Sequence, residues 1–282
     1  MVSIIILSYN RSDLLKECLS SIYNNVKNNF EVIVVDNASS DDSIEVVKKN
    51  FKKVKLIQNN ENAGFAKGCN IGAKNATGEY LLFLNSDAEL ENDPLPALLK
   101  TFDENKDAGI VGGLLLNHDN TLQRSFGNFY FIKNIFILLF RGEKGELERY
   151  KSSITLKTDW VSGGFMMVNK EVFQSVGGFN ESYFMYIEDM DLCYRVKKIG
   201  KCVYVNPHAK VKHLGQGSSN KTFAIVHIFE GLQIFYKQQR SIYEYYVVKC
   251  MLAIKGIASL LIGVLTFNKY LIRTYIGALK TL

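Results

Sequence analysis

The chain has 282 residues, 47% of them hydrophobic and 22% charged, with a formal net charge of +6. That length and balance support a sizeable core in one large or two small domains and exclude a disordered or low-complexity chain. The five cysteines are scattered with no C-x-x-C, which excludes a disulfide framework or zinc ribbon and points to a reducing compartment.

Residues 3–7 (SIIIL) form a buried-strand run, and the next segment sets Leu14, Leu15, Cys18, Leu19 and Ile22 on one helical face. Residues 31–35 predict a second strand, followed by a helix carrying Ile44, Val47 and Phe51. Strands at 54–57, 80–84 and 109–116 alternate with helical stretches at 64–76 and 94–102. This rhythm predicts an α/β fold with a mixed, mostly parallel sheet covered on both faces. In such sheets ligands bind beyond the carboxyl ends of the strands. The first strand starts at once, so no signal peptide is expected and the chain reads as cytoplasmic.

After Leu116 the rhythm changes. Residues 129–140 are strongly apolar and a polar loop follows to Thr158; 160–168 is strand-like and 188–199 helical. Short strands are expected at 201–205 and 209–213, then a helical tail. Asp36 ends the second strand, Asn85-Ser86-Asp87 the fourth and Ser8-Tyr9-Asn10 the first. A strand-end aspartate often serves only as a helix cap or turn residue. Two of them at one sheet edge are brought towards a common crevice. No G-x-G-x-x-G follows the first strand and no G-x-x-x-x-G-K-[ST] occurs, so a diphosphate here would need a cation to neutralise it. Asp87 is the candidate ligand for that ion. Later, Glu188, Asp189 and Asp191 crowd into four positions near a helix start. Asp191 and Arg195 are spaced to pair, while Asp189 points away from that face, as a base would. Apolar Phe184, Met185 and Tyr186, with Glu188, are expected to raise its pKa.

The set SYN, VVDNASSD, NENAGFAKGCNIG, FLNSDAEL, WVSGGFMMV and YIEDMDLCYR, in this order, resembles family 2 glycosyltransferases of the GT-A fold, rhamnosyltransferase-like members above all. The likeness runs from about Ser3 to Ser218. It implies a metal-dependent inverting transferase moving a rhamnose- or hexose-type sugar from a UDP- or dTDP-linked donor. The acceptor would be a hydroxyl of a glycan or lipid-linked molecule in surface polysaccharide synthesis. It implies that Asp36, Ser8, Tyr9, Asn10, Asn62, Gly64, Asn70 and Ser86 bind the nucleotide. Asp87 and His213 would hold Mg2+ or Mn2+, and Trp160, Gly163, Gly164 and Asp191 would line the sugar and acceptor pocket. Asp189, with Glu188 beside it, would be the catalytic base. One departure is plain: a full D-x-D motif has an acid at position 85, where this chain has Asn. The expected division is a transferase domain over 1–236, with a nucleotide half to about 116 and an acceptor half beyond it, and a helical element over 237–282.

His208 and His213 lack the Cys or His spacing of a zinc site, and His118 and His227 carry no role. In the tail, Lys237, Arg240, Lys249, Lys255, Lys269, Arg273 and Lys280 face a single acid, Glu244. No nucleic-acid-binding signature accompanies them. The uninterrupted apolar run 256–267 is shorter than the ~20 residues a membrane span needs. On one continuous helix Lys255, Lys269, Arg273 and Lys280 would share a stripe, as in a helix lying on an anionic leaflet at the inner face of the membrane. A packed amphipathic helix or a homodimer contact is the alternative. Two rival functions remain at this point. A sugar nucleotidyltransferase would carry a glycine-rich first loop, absent from SYNRSDLL; a silent nucleotide-sugar-binding membrane subunit would have no use for Asp189.

Overall fold

The computed structural model describes residues 1–140, 154–213 and 221–282. The first half alternates as expected: β1 (Val2–Ser8), α1 (Ser12–Asn25), β2 (Phe30–Asp36), α2 (Ser43–Asn50), β3 (Lys55–Gln58), α3 (Gly64–Lys74), β4 (Tyr80–Asn85), β5 (Ala88–Glu89), α4 (Leu95–Glu104) and β6 (Ala108–Leu116). The second half runs β7 (Phe126–Gly127), α5 (Ile132–Phe140), β8 (Leu156–Thr158), β9 (Trp160–Val161), β10 (Phe165–Asn169), α6 (Lys170–Ser175), α7 (Glu188–Lys198), β11 (Cys202–His213), α8 (Lys221–Gln239), α9 (Ile242–Leu265) and α10 (Lys269–Leu279).

The main sheet has the order β3-β2-β1-β4-β10-β6-β11-β5, with β8 paired to β11. β1 runs parallel to β2 and β4, and β10 lies antiparallel between β4 and β6. The β1 run SIIIL has no polar side because both sheet faces are covered: Ile4 and Ile6 pack towards Leu15 and Leu19, Ile5 towards Ala66 and Cys69. Leu14, expected on that buried stripe, turns into a cleft beyond the strand ends instead.

Two elements differ instructively from the sequence reading. Residues 160–168 are two strands, β9 and β10, because the turn at Ser162-Gly163-Gly164 separates them, with Phe165 N–H donating to Ser162 O (3.1 Å). The two short strands after 200 are one strand, β11, whose register against β6 shifts between Val205 and Lys210, around Pro207, which cannot donate to a ladder. The short helix α6, capped by the Asn169 side chain, had no periodic signal to announce it. The polar loop at 141–153 lies outside the described residues.

The tail corrects two expectations. The chain reverses at Phe267 (φ 51), Asn268 caps α10, and α9 and α10 form a hairpin in which Gly256 meets Leu279 and Gly263 meets Leu271 and Ile272. Lys255 and Lys269, Arg273 and Lys280 therefore sit on two helices, and the single-helix cationic stripe does not form. α9 continues through Lys249 and Lys255 for 24 residues, so among the described residues it is the one helix long and apolar enough to cross a membrane. The expected boundary at 236/237 lies within α8, whose Phe229, Leu232 and Tyr236 share one core with Val248, Leu252, Tyr275 and Ala278.

Candidate active site

A cleft of about 760 Å³ opens at the carboxyl ends of β1 and β4. One wall carries Ser8, Tyr9, Arg11, Asn37, Asn62 and Gly64; the floor carries Asn85, Ser86 and Asp87. Trp160, Gly163, Gly164 and the segment 184–189 also line it, and His213 stands beside Asn85 and Asp87.

Asp189 stands at the start of α7, partly buried. Its Oδ2 accepts from Gly163 N–H (3.1 Å) and its Oδ1 from Met190 N–H (2.7 Å). Burial nevertheless pushes its carboxyl above the ordinary aspartate range, against those two donors. Glu188 is more strongly affected: burial first, then the charges of Asp189 and Asp191, raise it well above the glutamate range, and its Oε2 is buried without a partner. Burial thus favours the protonated form at both neighbouring carboxyls, more strongly at Glu188. The expected rise at Asp189 is present, with burial as its leading cause.

The base is placed by a strained turn. Tyr186 and Ile187 both hold left-handed backbone (φ 70 and 71), a conformation that costs about 1–2 kcal/mol for a side chain and persists only when neighbours enforce it. Two neighbours do. Phe65 N–H donates to Phe184 O (2.6 Å), and Gly64 (φ +77) has no room for a Cβ, which would lie 2.4 Å from that oxygen. On the other side Gly231 of α8 leaves space for Tyr186 O and Ile187.

His213 Nε2 lies 3.2 Å from Asp87 Oδ1. Gln123 Nε2 donates to Asn117 Oδ1 (2.8 Å) and His213 O (2.7 Å), so its Oε1 is the acceptor facing His213 Nδ1 at 2.7 Å. That fixes the ring proton on Nδ1 and turns the Nε2 lone pair towards Asp87 and the Asn85 amide, 2.9 Å away. A lone pair and a carboxylate oxygen converging on one point fit a hard divalent cation. Among the described residues no group of three His, Cys, Asp or Glu could hold a metal. The remainder of the motif after His213, at 214–220, lies outside the described residues.

At the strand ends Ser8 pairs in register with Asp36. Asp36 Oδ2 accepts from Ser39 N–H (2.9 Å), but Asp36 Oδ1 and Ser8 Oγ are buried with no hydrogen-bond partner. Asp36 lies just behind the wall that Ser8 and Asn37 form. Asn62 Oδ1 accepts from Gly64 N–H and from Asn37 Nδ2, both at 3.1 Å.

Three residues expected at the site are elsewhere. Asn70 is buried, its amide donating to Phe179 O (2.8 Å) and Glu181 Oε1 (2.9 Å), so it fastens α3 to the 178–181 segment. Asn10 (φ 52) braces the loop after β2, its Oδ1 accepting from Ser40 N–H (2.7 Å). Asp191 is fully buried, with Oδ2 on Arg195 Nε (2.7 Å) and Oδ1 accepting from Gln239 (3.1 Å), which leaves it no face towards the cleft. Conversely Arg11, Asn37, Phe65, Arg124, Tyr130 and Lys221 line the cleft unannounced. Only the position of Asn37, directly after a strand-end aspartate, offered a signal.

The family profile described as Glycosyl transferase family 2 matches residues 3–177. The chain belongs to glycosyl transferase family 2. A second profile, described as N-terminal domain of galactosyltransferase, matches residues 144–216. This family 2 chain is 28% identical over 233 residues to rhamnosyltransferase WbbL of Escherichia coli K12, covering 79% of this chain and 87% of the relative. It is 24% identical over 238 residues to the N-acetylglucosaminyl-diphospho-decaprenol L-rhamnosyltransferase of Mycobacterium tuberculosis, covering 76% of each. Among solved structures it resembles the mannosyltransferase PcManGT of Pyrobaculum calidifontis, in complex with GDP-Man and Mn2+, with TM-score 0.62, 18% identity and coverage of 99% of this chain and 86% of the other. GalNAc-T7 with UDP, GalNAc and Mn2+ gives TM-score 0.62 at 16% identity, covering 84% of this chain and 48% of the other. The fold is GT-A, and the chain is a glycosyltransferase.

Proposed function

We propose that this family 2 enzyme transfers a rhamnose- or hexose-type sugar, with inversion, from a UDP- or dTDP-linked donor to a hydroxyl of a lipid-linked glycan acceptor. The observation that carries this reading is a single cleft lined by Asp189, which is held by two backbone N–H groups, and by the adjacent Asp87 and His213. Asp189 takes the proton of the acceptor hydroxyl as that oxygen attacks the anomeric carbon, and the bond to the nucleoside diphosphate breaks on the opposite face. Glu188, holding its proton, keeps a second negative charge away from the attacking oxygen. Ser8 and Asp36 offer their unpartnered oxygens to ribose hydroxyls or a base N–H, and Tyr9, Asn37 and Asn62 wall the nucleotide. Gly163 and Gly164 let Phe65 and Asn85 pack close beside Asp189 and would line the sugar pocket there with Trp160.

Asp87 and His213 would hold Mg2+ or Mn2+ together with the donor diphosphate. When bound, the ion supplies positive charge that stabilises the leaving group. Gln123 keeps the His213 lone pair available for it.

The α9–α10 hairpin supports peripheral attachment to the cytoplasmic face of a membrane. Leu265 is 79% and Phe267 89% exposed at its tip, with Leu261, Ile262 and Val264 also exposed beside Lys269 and Arg273. Screening nucleotide sugars for released nucleoside diphosphate, with membrane lipid extract as acceptor, tests the whole reading. Turnover that needs both a nucleotide sugar and the lipid fraction is the expected result; release with no donor, or transfer of a nucleotidyl group to a sugar phosphate, would overturn it.

A further inference from the structure

Beyond the base and the Asp87–His213 pair, the described cleft holds the cations Arg11, Arg124 and Lys221, of which Arg124 lies against aromatic rings. Arg124 sits between two pinned neighbours: Gln123, bonded to His213, and Ser125, whose carbonyl accepts from Ser162 N–H (2.7 Å). Its guanidinium carbon lies 5.3 Å from the ring centre of Tyr130 and 5.9 Å from that of Trp160. The Trp160 ring is fixed by its Nε1, which donates to Asn128 O (3.0 Å), and the Tyr130 main chain by its carbonyl, which accepts from the buried Tyr236 hydroxyl (2.7 Å). A guanidinium flanked by two aromatic residues held in this way is a pre-oriented donor for phosphate oxygens.

The order of features along the chain gives this cation a meaning. Trp160 leads through the Ser162–Gly164 turn to the Gly163 N–H that holds Asp189. In the other direction Tyr130 leads straight into α5, where Phe136 and Ile137 are exposed and Ile135 is buried in the core. α5 packs on α9, the long apolar helix. From the base outward, the surface therefore runs from sugar hydroxyl, to anchored cation, to apolar helices. A lipid-linked acceptor has the same sequence of parts: sugar, phosphate, hydrocarbon.

We propose that Arg124, seated on Tyr130 and Trp160, binds a phosphate of the acceptor between its sugar and its lipid chain. The proposal rests on the lipid-linked acceptor of the preceding reading. It assigns Arg124 to binding, not to the chemistry, and sets it apart from the donor diphosphate at Asp87.

Trp160 is the chain's single tryptophan, so its fluorescence reports on this subsite directly. The full chain is titrated with geranyl diphosphate and, separately, geraniol, without divalent metal or donor. Wild type should give a saturable change with the diphosphate only. A hydrogen bond between charged groups is worth about 1.5–3 kcal/mol, so Arg124→Met should weaken that binding by roughly 10- to 150-fold, and Arg124→Lys by less. UDP affinity should not change in either variant. In transfer assays the Arg124→Met KM should rise for a sugar-diphosphate-lipid acceptor and not for a neutral alkyl glycoside of the same sugar, with kcat kept. Unchanged geranyl diphosphate binding in Arg124→Met overturns the proposal. So does a loss of UDP affinity, which would give the guanidinium to the donor, or equal KM increases for both acceptors. A normal fluorescence response with no transfer to any acceptor would leave the subsite standing and sink the transferase reading instead.

Discussion

Gly231 lies on α8, outside the cleft, and replacing it with alanine tests whether the helical C-terminal part positions the base. A Cβ at 231 would lie 2.9 Å from Tyr186 O and 2.9 Å from Ile187 Cγ1, just before the first turn of α7. Ordinary contact begins at 3.4 Å, so the turn carrying Asp189 must retreat by the difference, 0.5 Å. A misplacement of 1 Å costs about 100-fold in rate, so half that distance costs about tenfold in kcat. Stability is pulled both ways. Alanine gains about 0.8–1 kcal/mol of helix propensity over glycine, against about 1–3 kcal/mol for an overpacked contact. The net loss is at most about 2 kcal/mol, or about 3–4 °C in Tm for a chain of 282 residues. The assay is kcat at saturating donor and acceptor, beside calorimetric UDP affinity and a melting curve. Expected are a folded protein, unchanged UDP affinity and kcat down about tenfold. A folded Gly231→Ala enzyme with wild-type kcat would refute the claim that α8 holds the base in place.

Other outcomes follow from the same geometry. Glu188 binds its proton more tightly folded than unfolded, so its contribution to stability is whole below the ordinary value of 4.5 and is lost as pH rises through the raised folded value. Glu188→Gln removes that loss, so its Tm relative to wild type should climb as pH rises above 4.5; a flat difference would mean Glu188 is ionised in the fold. Asp87→Ala should abolish the gain in UDP affinity that Mn2+ gives; an equal gain in both proteins would remove Asp87 from the metal site. Leu265→Glu with Phe267→Glu should release the enzyme from anionic vesicles in flotation while leaving transfer to a soluble acceptor intact. Unaltered flotation would point to attachment elsewhere.

Much of this was legible because strand and helix periods are local properties. The run SIIIL read as a strand covered on both faces, and Asp87 and Asp189, which line one cleft, stood out as candidates from their places at a strand end and a helix start. What stayed hidden depended on partners distant in the chain. Asn70 and Asp191 sit in motifs, yet the first is spent on Phe179 and Glu181 and the second on Arg195 and Gln239. Gln123 has no local signature, although it sets the tautomer of a histidine 90 positions away. The α9–α10 reversal was missed because Phe267 takes a left-handed conformation without a glycine to mark it.

The most direct measurement is single-turnover transfer by Asp189→Asn, read beside calorimetric binding of UDP with Mn2+. Asparagine keeps the size and an acceptor oxygen for Gly163 N–H but cannot take a proton at neutral pH. Nucleotide affinity should match wild type while sugar transfer disappears, the general-base contribution alone being about 10²- to 10⁴-fold. Transfer at the wild-type rate would contradict the account at its centre, because the proton would then leave by a route that does not pass through Asp189.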